Sequence, residues 1–215
     1  MPAMLMQTAV ALLTYAYGAN WTAGRAQRDM LMFEYFSAWT HGDEYVYLET
    51  QNVATRSTNG STVGAGETTP YAEVHARLGG AVDAGPVRGL FIANQVDAGQ
   101  GYLVFLSGAG LRWGGGVNTD LFLRYDPGLA RPTWQAVTYG EWGFRIGPVQ
   151  MRYGGYVKAV GAEGPSAPFL VSDTRLVWEP VRHLRTGVAL RLWRNDSGVR
   201  GINQTVPEAI LQWRF

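Results

Sequence analysis

Tyr71-Ala72-Glu73-Val74-His75-Ala76-Arg77-Leu78 alternates with a period of two residues. On an extended chain Ala72, Val74, Ala76 and Leu78 share one face, and Tyr71, Glu73, His75 and Arg77 share the other. A strand with three ionisable groups on one side and only apolar groups on the other needs two different environments. The pattern recurs along the chain. Asp120-Leu121-Phe122-Leu123-Arg124-Tyr125 repeats it, as does Val149-Gln150-Met151-Arg152-Tyr153, which continues to Tyr156-Val157-Lys158. Arg185, Gly187, Ala189, Arg191 and Trp193 alternate with Thr186, Val188, Leu190 and Leu192. A capped helical period is absent from every stretch long enough to hold one.

Composition narrows the choice. Only 16% of the residues are charged, against about 25% in soluble domains. With 28 glycines in 215 residues and 13% aromatics, the chain has too much apolar surface to stay disordered. The absence of cysteine excludes a disulfide scaffold, thiolate catalysis and Cys-ligated metals. A net charge of +1 gives no reason to expect a nucleic-acid partner. A mean hydropathy of −0.09 excludes a helical membrane bundle. Lys158 is the only lysine among the 18 Lys and Arg residues; the rest are arginine.

Strands bounded by Gly, Pro, Asn and Asp clusters number twelve, at about 7–17, 29–39, 44–52, 70–78, 87–96, 102–112, 117–125, 133–146, 149–160, 169–179, 184–194 and 205–215. Most approach the roughly 9–11 residues that carry a tilted strand across a bilayer. Their connections sort by length. Short turns follow the even strands, at 40–43, 79–86, 113–116, 147–148 and 180–183. Longer loops mostly follow the odd ones, at 18–28, 53–69, 161–168 and 195–204, with shorter exceptions at 97–101 and 126–132. Outer-membrane barrels sort their connections in this way. The last segment adds to this: Ala209, Leu211, Trp213 and Phe215 alternate with Glu208, Gln212 and Arg214, so that an aromatic closes the final strand. Residues 1–19 lack a charged side chain and read alternatively as a signal-peptide core, without the basic segment that should precede one. An even strand number favours Gln7–Tyr17 as the first strand, with any signal peptide outside this numbering. The expectation is an all-β, twelve-stranded antiparallel transmembrane β-barrel, with residues 1–215 as one domain and both termini periplasmic.

Several segments carry a resemblance. Leu13-Thr14-Tyr15-Ala16-Tyr17-Gly18 followed by Phe33-Glu34-Tyr35-Phe36-Ser37-Ala38-Trp39-Thr40-His41-Gly42-Asp43-Glu44-Tyr45 resembles the start of the Tsx-like nucleoside-specific channel-forming outer membrane proteins. Arg124-Tyr125-Asp126-Pro127-Gly128 and Thr133-Trp134-Gln135-Ala136-Val137 are similar to that family's central segment. Leu190-Arg191-Leu192-Trp193-Arg194-Asn195 with Val206-Pro207-Glu208-Ala209 resembles its final hairpin. The resemblance implies a monomeric twelve-stranded barrel with a narrow pore.

Twelve strands lie between barrels filled by side chains and open porins. Alternation sends Glu73, His75, Arg77, Asp120, Arg124, Arg152, Tyr156, Lys158, Asp173, Arg175, Arg191 and Trp193 inward. Glu34 joins them, in the apolar company of Met30, Met32 and Phe36. Tyr71, Phe122, Tyr156 and Trp193 offer stacking faces beside the charges, suited to a flat base. Trp21, Trp39, Tyr45, Trp113, Trp142, Trp178 and Trp213 fall near strand ends, where interfacial girdles lie. Residues 53–69, rich in Ser, Thr, Asn and Gly, are expected to form an exposed, mobile loop.

Enzymatic motifs are missing. The chain has no G-x-S-x-G and no HExxH, its three histidines are far apart, and Gly114-Gly115-Gly116 lacks the helix of a phosphate-binding loop. A lipid hydrolase would need Ser and His together on the outer face, and no such pair is evident. The expected function is passive uptake of nucleosides or similar small polar solutes, with no catalysis, cofactor or metal. The partners are then membrane lipids, lipopolysaccharide and the solute, and not nucleic acid. The alternative is a non-transporting barrel serving as a scaffold or subunit of an envelope assembly.

Overall fold

The computed structural model describes residues 6–19, 27–51, 69–129 and 131–215. These form strands β1 (Met6–Ala19), β2 (Gln27–Trp39), β3 (Gly42–Gln51), β4 (Thr69–Ala84), β5 (Val87–Gly99), β6 (Tyr102–Trp113), β7 (Asn118–Tyr125), β8 (Thr133–Ile146), β9 (Val149–Val160), β10 (Phe169–Val181), β11 (Leu184–Arg194) and β12 (Gln204–Arg214). Each strand pairs antiparallel with its sequence neighbours. β1 also pairs with β12, from Leu12 opposite Arg214 to Gly18 opposite Glu208. The sheet therefore closes into a twelve-stranded barrel whose strands are hydrogen-bonded on both sides, as an apolar surrounding demands.

Alternation separates the two faces. Outward-pointing Val74, Leu78, Leu90, Ile92, Leu121, Leu123, Val188 and Leu211 are all exposed, Ile92 by 65%. Such a continuous apolar belt is an aggregation surface in water and a solvated one in hydrocarbon. Trp39, Trp113, Trp142, Trp178 and Trp213 also point outward, toward the end carrying the short turns. Trp142 stacks on Tyr153 there, with ring centroids 6.1 Å apart. Trp134 and Tyr125 are exposed toward the opposite end. Inside, three small apolar clusters separate the charged groups. They are Ala16, Met30, Met32 and Val206; Ala93, Val104, Leu106 and Phe122; and Val177, Ala189 and Ile210.

The structure corrects several expectations. The turn expected at 79–86 shrinks to Gly85-Pro86, because β4 runs on to Ala84. Gly79 is a strand residue: a Cβ there would lie 2.1 Å from the Leu90 carbonyl oxygen, so its lack of a side chain serves close strand approach. Gly85, with φ +62°, begins the two-residue turn that joins β4 to β5. The loop expected at 97–101 reduces to Gln100-Gly101, which moves Asp97 into β5 on its inner face. Tyr45 belongs to the interior rather than an interfacial girdle, because the β3 register sets it opposite Phe36 and His75. Trp21 and the loop segment 53–68 lie outside the described residues, while Thr69 opens β4.

Candidate functional site

The ladder fixes where each charged side chain goes. Glu34 on β2; Tyr71, Glu73, His75 and Arg77 on β4; and Asp120, Phe122 and Arg124 on β7 share the inward parity. So do Arg152, Tyr156 and Lys158 on β9, Asp173 and Arg175 on β10, and Arg191 and Trp193 on β11. These residues do not form one ring. They divide among separate networks.

The first network surrounds Arg77, which is only 1% exposed. Its guanidinium donates to both carboxylate oxygens of Asp43, at 2.7 and 2.5 Å, and to Asn118 Oδ1 at 3.0 Å. Asp120 lies 3.7 Å from Arg77 and 3.6 Å from the His75 ring. Arg112 reaches Asp43 from β6 at 2.9 Å. The Arg77 guanidinium sits over Phe91 at 4.7 Å and near Tyr139 at 5.6 Å, and His75 meets Phe122 edge to face. A planar cation with a bidentate partner and aromatic faces is held in one geometry.

The second network crosses the interior. Glu34, Glu49, Glu73 and Asp97 come one each from β2, β3, β4 and β5 and form an acidic wall. Donors from the same wall steady them: Tyr45 donates to Glu34 at 3.0 Å, Tyr47 to Glu49, Tyr71 to Glu73, and Gln95 to Asp97 at 2.6 Å. The tyrosine rings follow one another, with centroid separations of 6.4 Å from Tyr45 to Tyr47, 6.1 Å to Tyr71 and 6.4 Å to Tyr102.

Cations on β7, β9, β10 and β11 face this wall. Arg175 pairs with Glu34 at 2.9 Å, Arg191 with Glu49 at 3.5 Å, Lys158 with Glu73, and Arg124 with Asp97 at 3.5 Å. Asp173 and Glu208 soften the basic side. Asp173 lies 3.1 Å from Arg175 and 3.0 Å from Arg191, and Glu208 lies 3.6 Å from Arg191. Met30 and Met32 do point inward beside Glu34, and the sulfur of Met30 accepts from Arg191 at 3.4 Å. Three of these pairs join strands far apart in the ring, namely β2 to β10, β3 to β11 and β4 to β9. They therefore close the space between the walls.

The remaining residues stand apart. Arg152 pairs with Glu141 at 2.5 Å toward the turn end. Tyr156 is half-buried between Tyr139 and Asp173 in the ladder. Trp193 opposes Val171 and Gln204 toward the loop end.

Sequence reasoning missed Asp43, Tyr45, Tyr47, Glu49, Asp97, Glu163 and Glu208. Tyr45, Tyr47 and Glu49 were legible, because they share one face of β3 by simple alternation, whereas Asp43 fell in the turn expected at 40–43 and joins that face because β3 begins at Gly42. Glu163 left no signal. It sits in the β9–β10 connection yet is buried against Arg124 at 3.1 Å. That connection is tied to the β11–β12 connection by Ala167 N–H donating to Gly198 O at 2.8 Å and by Asn195 Nδ2 donating to Pro168 O at 2.8 Å. Among the described residues, no group of three or more His, Cys, Asp or Glu side chains is placed to hold a metal ion.

No protein-family profile matches the chain, and no curated protein sequence matches it. Solved structures of the same fold do. A KdgM porin superimposes with a TM-score of 0.53 at 10% identity, over 95% of this chain and 99% of the porin. A KdgM porin in complex with disordered oligogalacturonate gives 0.52 at 11% identity, over 97% and 99%. Outer membrane phospholipase A from Escherichia coli gives 0.52 at 9% identity, over 99% and 92%. The architecture is thus that of outer-membrane barrels. Since it is shared by a porin and a phospholipase, it does not by itself choose an activity.

Proposed function

We propose that the protein is a passive outer-membrane channel for small polar solutes, with lipid and lipopolysaccharide around its apolar belt and both termini on the periplasmic side. The observation that carries this reading is the inner face. Charged side chains from β2–β5 and from β7, β9, β10 and β11 face the barrel interior, and the tyrosine rings of Tyr45, Tyr47, Tyr71 and Tyr102 run beside them. Aromatic faces stack on planar solutes. This supports nucleosides as a class to assay, in keeping with the resemblance of the sequence segments.

A surface hydrolase finds less support. On the outer face Ser107 pairs with Asn94, both exposed. The histidines are elsewhere: His75 faces inward, His41 lies in a turn, and His183 stacks on Trp213 with Nδ1 2.9 Å from the Arg214 carbonyl.

The cross-interior ion pairs favour a second reading, a closed barrel acting as an envelope scaffold. Purified protein in planar lipid bilayers separates the two. Discrete conductance steps, reduced by added uridine if nucleosides enter, are expected of the channel. Electrically silent insertion would overturn that reading in favour of the scaffold.

A further inference from the structure

The walls of the interior differ in sign, and the one lysine sits where they meet. Lys158 Nζ donates to Glu73, lies 3.4 Å from the Tyr71 hydroxyl and stands 5.9 Å from the centre of the Tyr71 ring. A carboxylate, a hydroxyl and an aromatic face are the partners that a primary ammonium takes. Arginine fills the three other positions on the basic wall, at 124, 175 and 191.

We propose that the lumen favours small zwitterions of the amino-acid type. The solute ammonium takes the place of Lys158 Nζ at Glu73 and Tyr71, and the solute carboxylate meets the released Lys158 and the neighbouring Arg124. The proposal rests on the channel reading and names its solute class. Its physical basis is the cost of parting the walls. An uncharged solute that separates Glu73 from Lys158 leaves two charges uncompensated in a narrow interior, where both side chains are at most 16% exposed. A zwitterion supplies a replacement for each. An anion replaces only the partner of Lys158 and adds its charge to a wall that already carries Glu34, Glu49, Glu73 and Asp97. Lys158 is suited to moving aside: its four-carbon stem is flexible and its ammonium is not geometrically locked as a bidentate guanidinium is.

The test is swelling of liposomes holding the purified protein, in isotonic serine and in isotonic erythritol, an uncharged solute of similar size. Serine is expected to enter about fivefold faster, the factor that one partly wet charge pair contributes. In Glu73→Gln the ratio of the two rates should fall to about one, with erythritol as the internal reference. Tyr71→Phe keeps every charge and should lower the ratio to an intermediate value, which covers the case in which Glu73→Gln fails to fold. Equal entry of both solutes in the wild-type protein would overturn the zwitterion proposal and leave the channel standing. An unchanged ratio in both variants would overturn the assignment of the ammonium subsite. Swelling with neither solute would overturn the channel reading and this proposal with it.

Discussion

Arg77 and Arg88 show how differently one residue type behaves in this barrel. Both pair with an aspartate. Arg77 is 1% exposed and holds Asp43 through two hydrogen bonds between aromatic faces, while the side chain of Arg88 is 53% exposed beside Asp83. Removing the first cation leaves buried Asp43 with only the half-exposed Arg112 and takes the nearest guanidinium from buried Asp120, so Arg77→Met should destabilise the barrel by about 3–5 kcal/mol. Arg88→Met should change stability by less than about 1 kcal/mol, because water and salt already screen that pair. Urea unfolding of both variants in lipid vesicles measures the difference. Equal stability would show that the Arg77 network adds nothing beyond its volume.

Strands impose a different constraint, visible in the paired glycines of β4. A methyl group on Gly79 would lie 2.1 Å from the Leu90 carbonyl oxygen and 2.8 Å from Phe91 Cα, both backbone atoms that cannot swing away. A methyl group on Gly80 would meet no atom within 4 Å. Gly79→Ala should therefore force β4 from β5 and cost about 1–3 kcal/mol. Gly80→Ala should be neutral or slightly stabilising through the unfolded chain. The two thermal transitions, followed by heat-modifiable migration on gels, should separate in that order. Coincident transitions would place the strain elsewhere.

At the scale of the whole barrel, the proposed channel requires opposite walls to part for solute to pass. Glu73 and Lys158 join β4 to β9 across the ring, and the chain has no cysteine to confuse a thiol experiment. In Glu73→Cys/Lys158→Cys, a short bis-methanethiosulfonate should link the walls through a disulfide at each thiol and lower conductance, and a reductant that cleaves both disulfides should restore it. Either single variant treated with the same reagent should keep its own conductance. Full conductance in the linked barrel would mean that solute passes beside this pair and not through it.

Alternation along the chain determined which face each strand residue takes, because the period of two is a property of the extended backbone alone. The inward placement of Glu73, His75, Arg77, Arg124, Lys158 and Arg191 followed from that, while the Gly, Pro, Asn and Asp clusters between the segments supplied the number of strands. Tyr45, Tyr47 and Glu49 were equally legible, since they obey the same rule on β3. Glycine misled the boundaries at Gly79 and near Asp97: by sequence it marks a turn, yet in the closed sheet it also permits two backbones to approach. Only the tertiary structure decided which charges meet. Glu73 and Lys158 are 85 residues apart, Glu34 and Arg175 are 141, and Glu49 and Arg191 are 142. Those meetings depend on β1 closing against β12 in one register, and a shift of that seam would turn the same side chains toward other partners. Glu163 belongs to the same class, because a loop has no period from which its direction can be read and only its burial against Arg124 assigns it to the interior. The facing of residues is thus a local property of the backbone, whereas the opposition of an acidic wall to a basic one arises only when the ring closes.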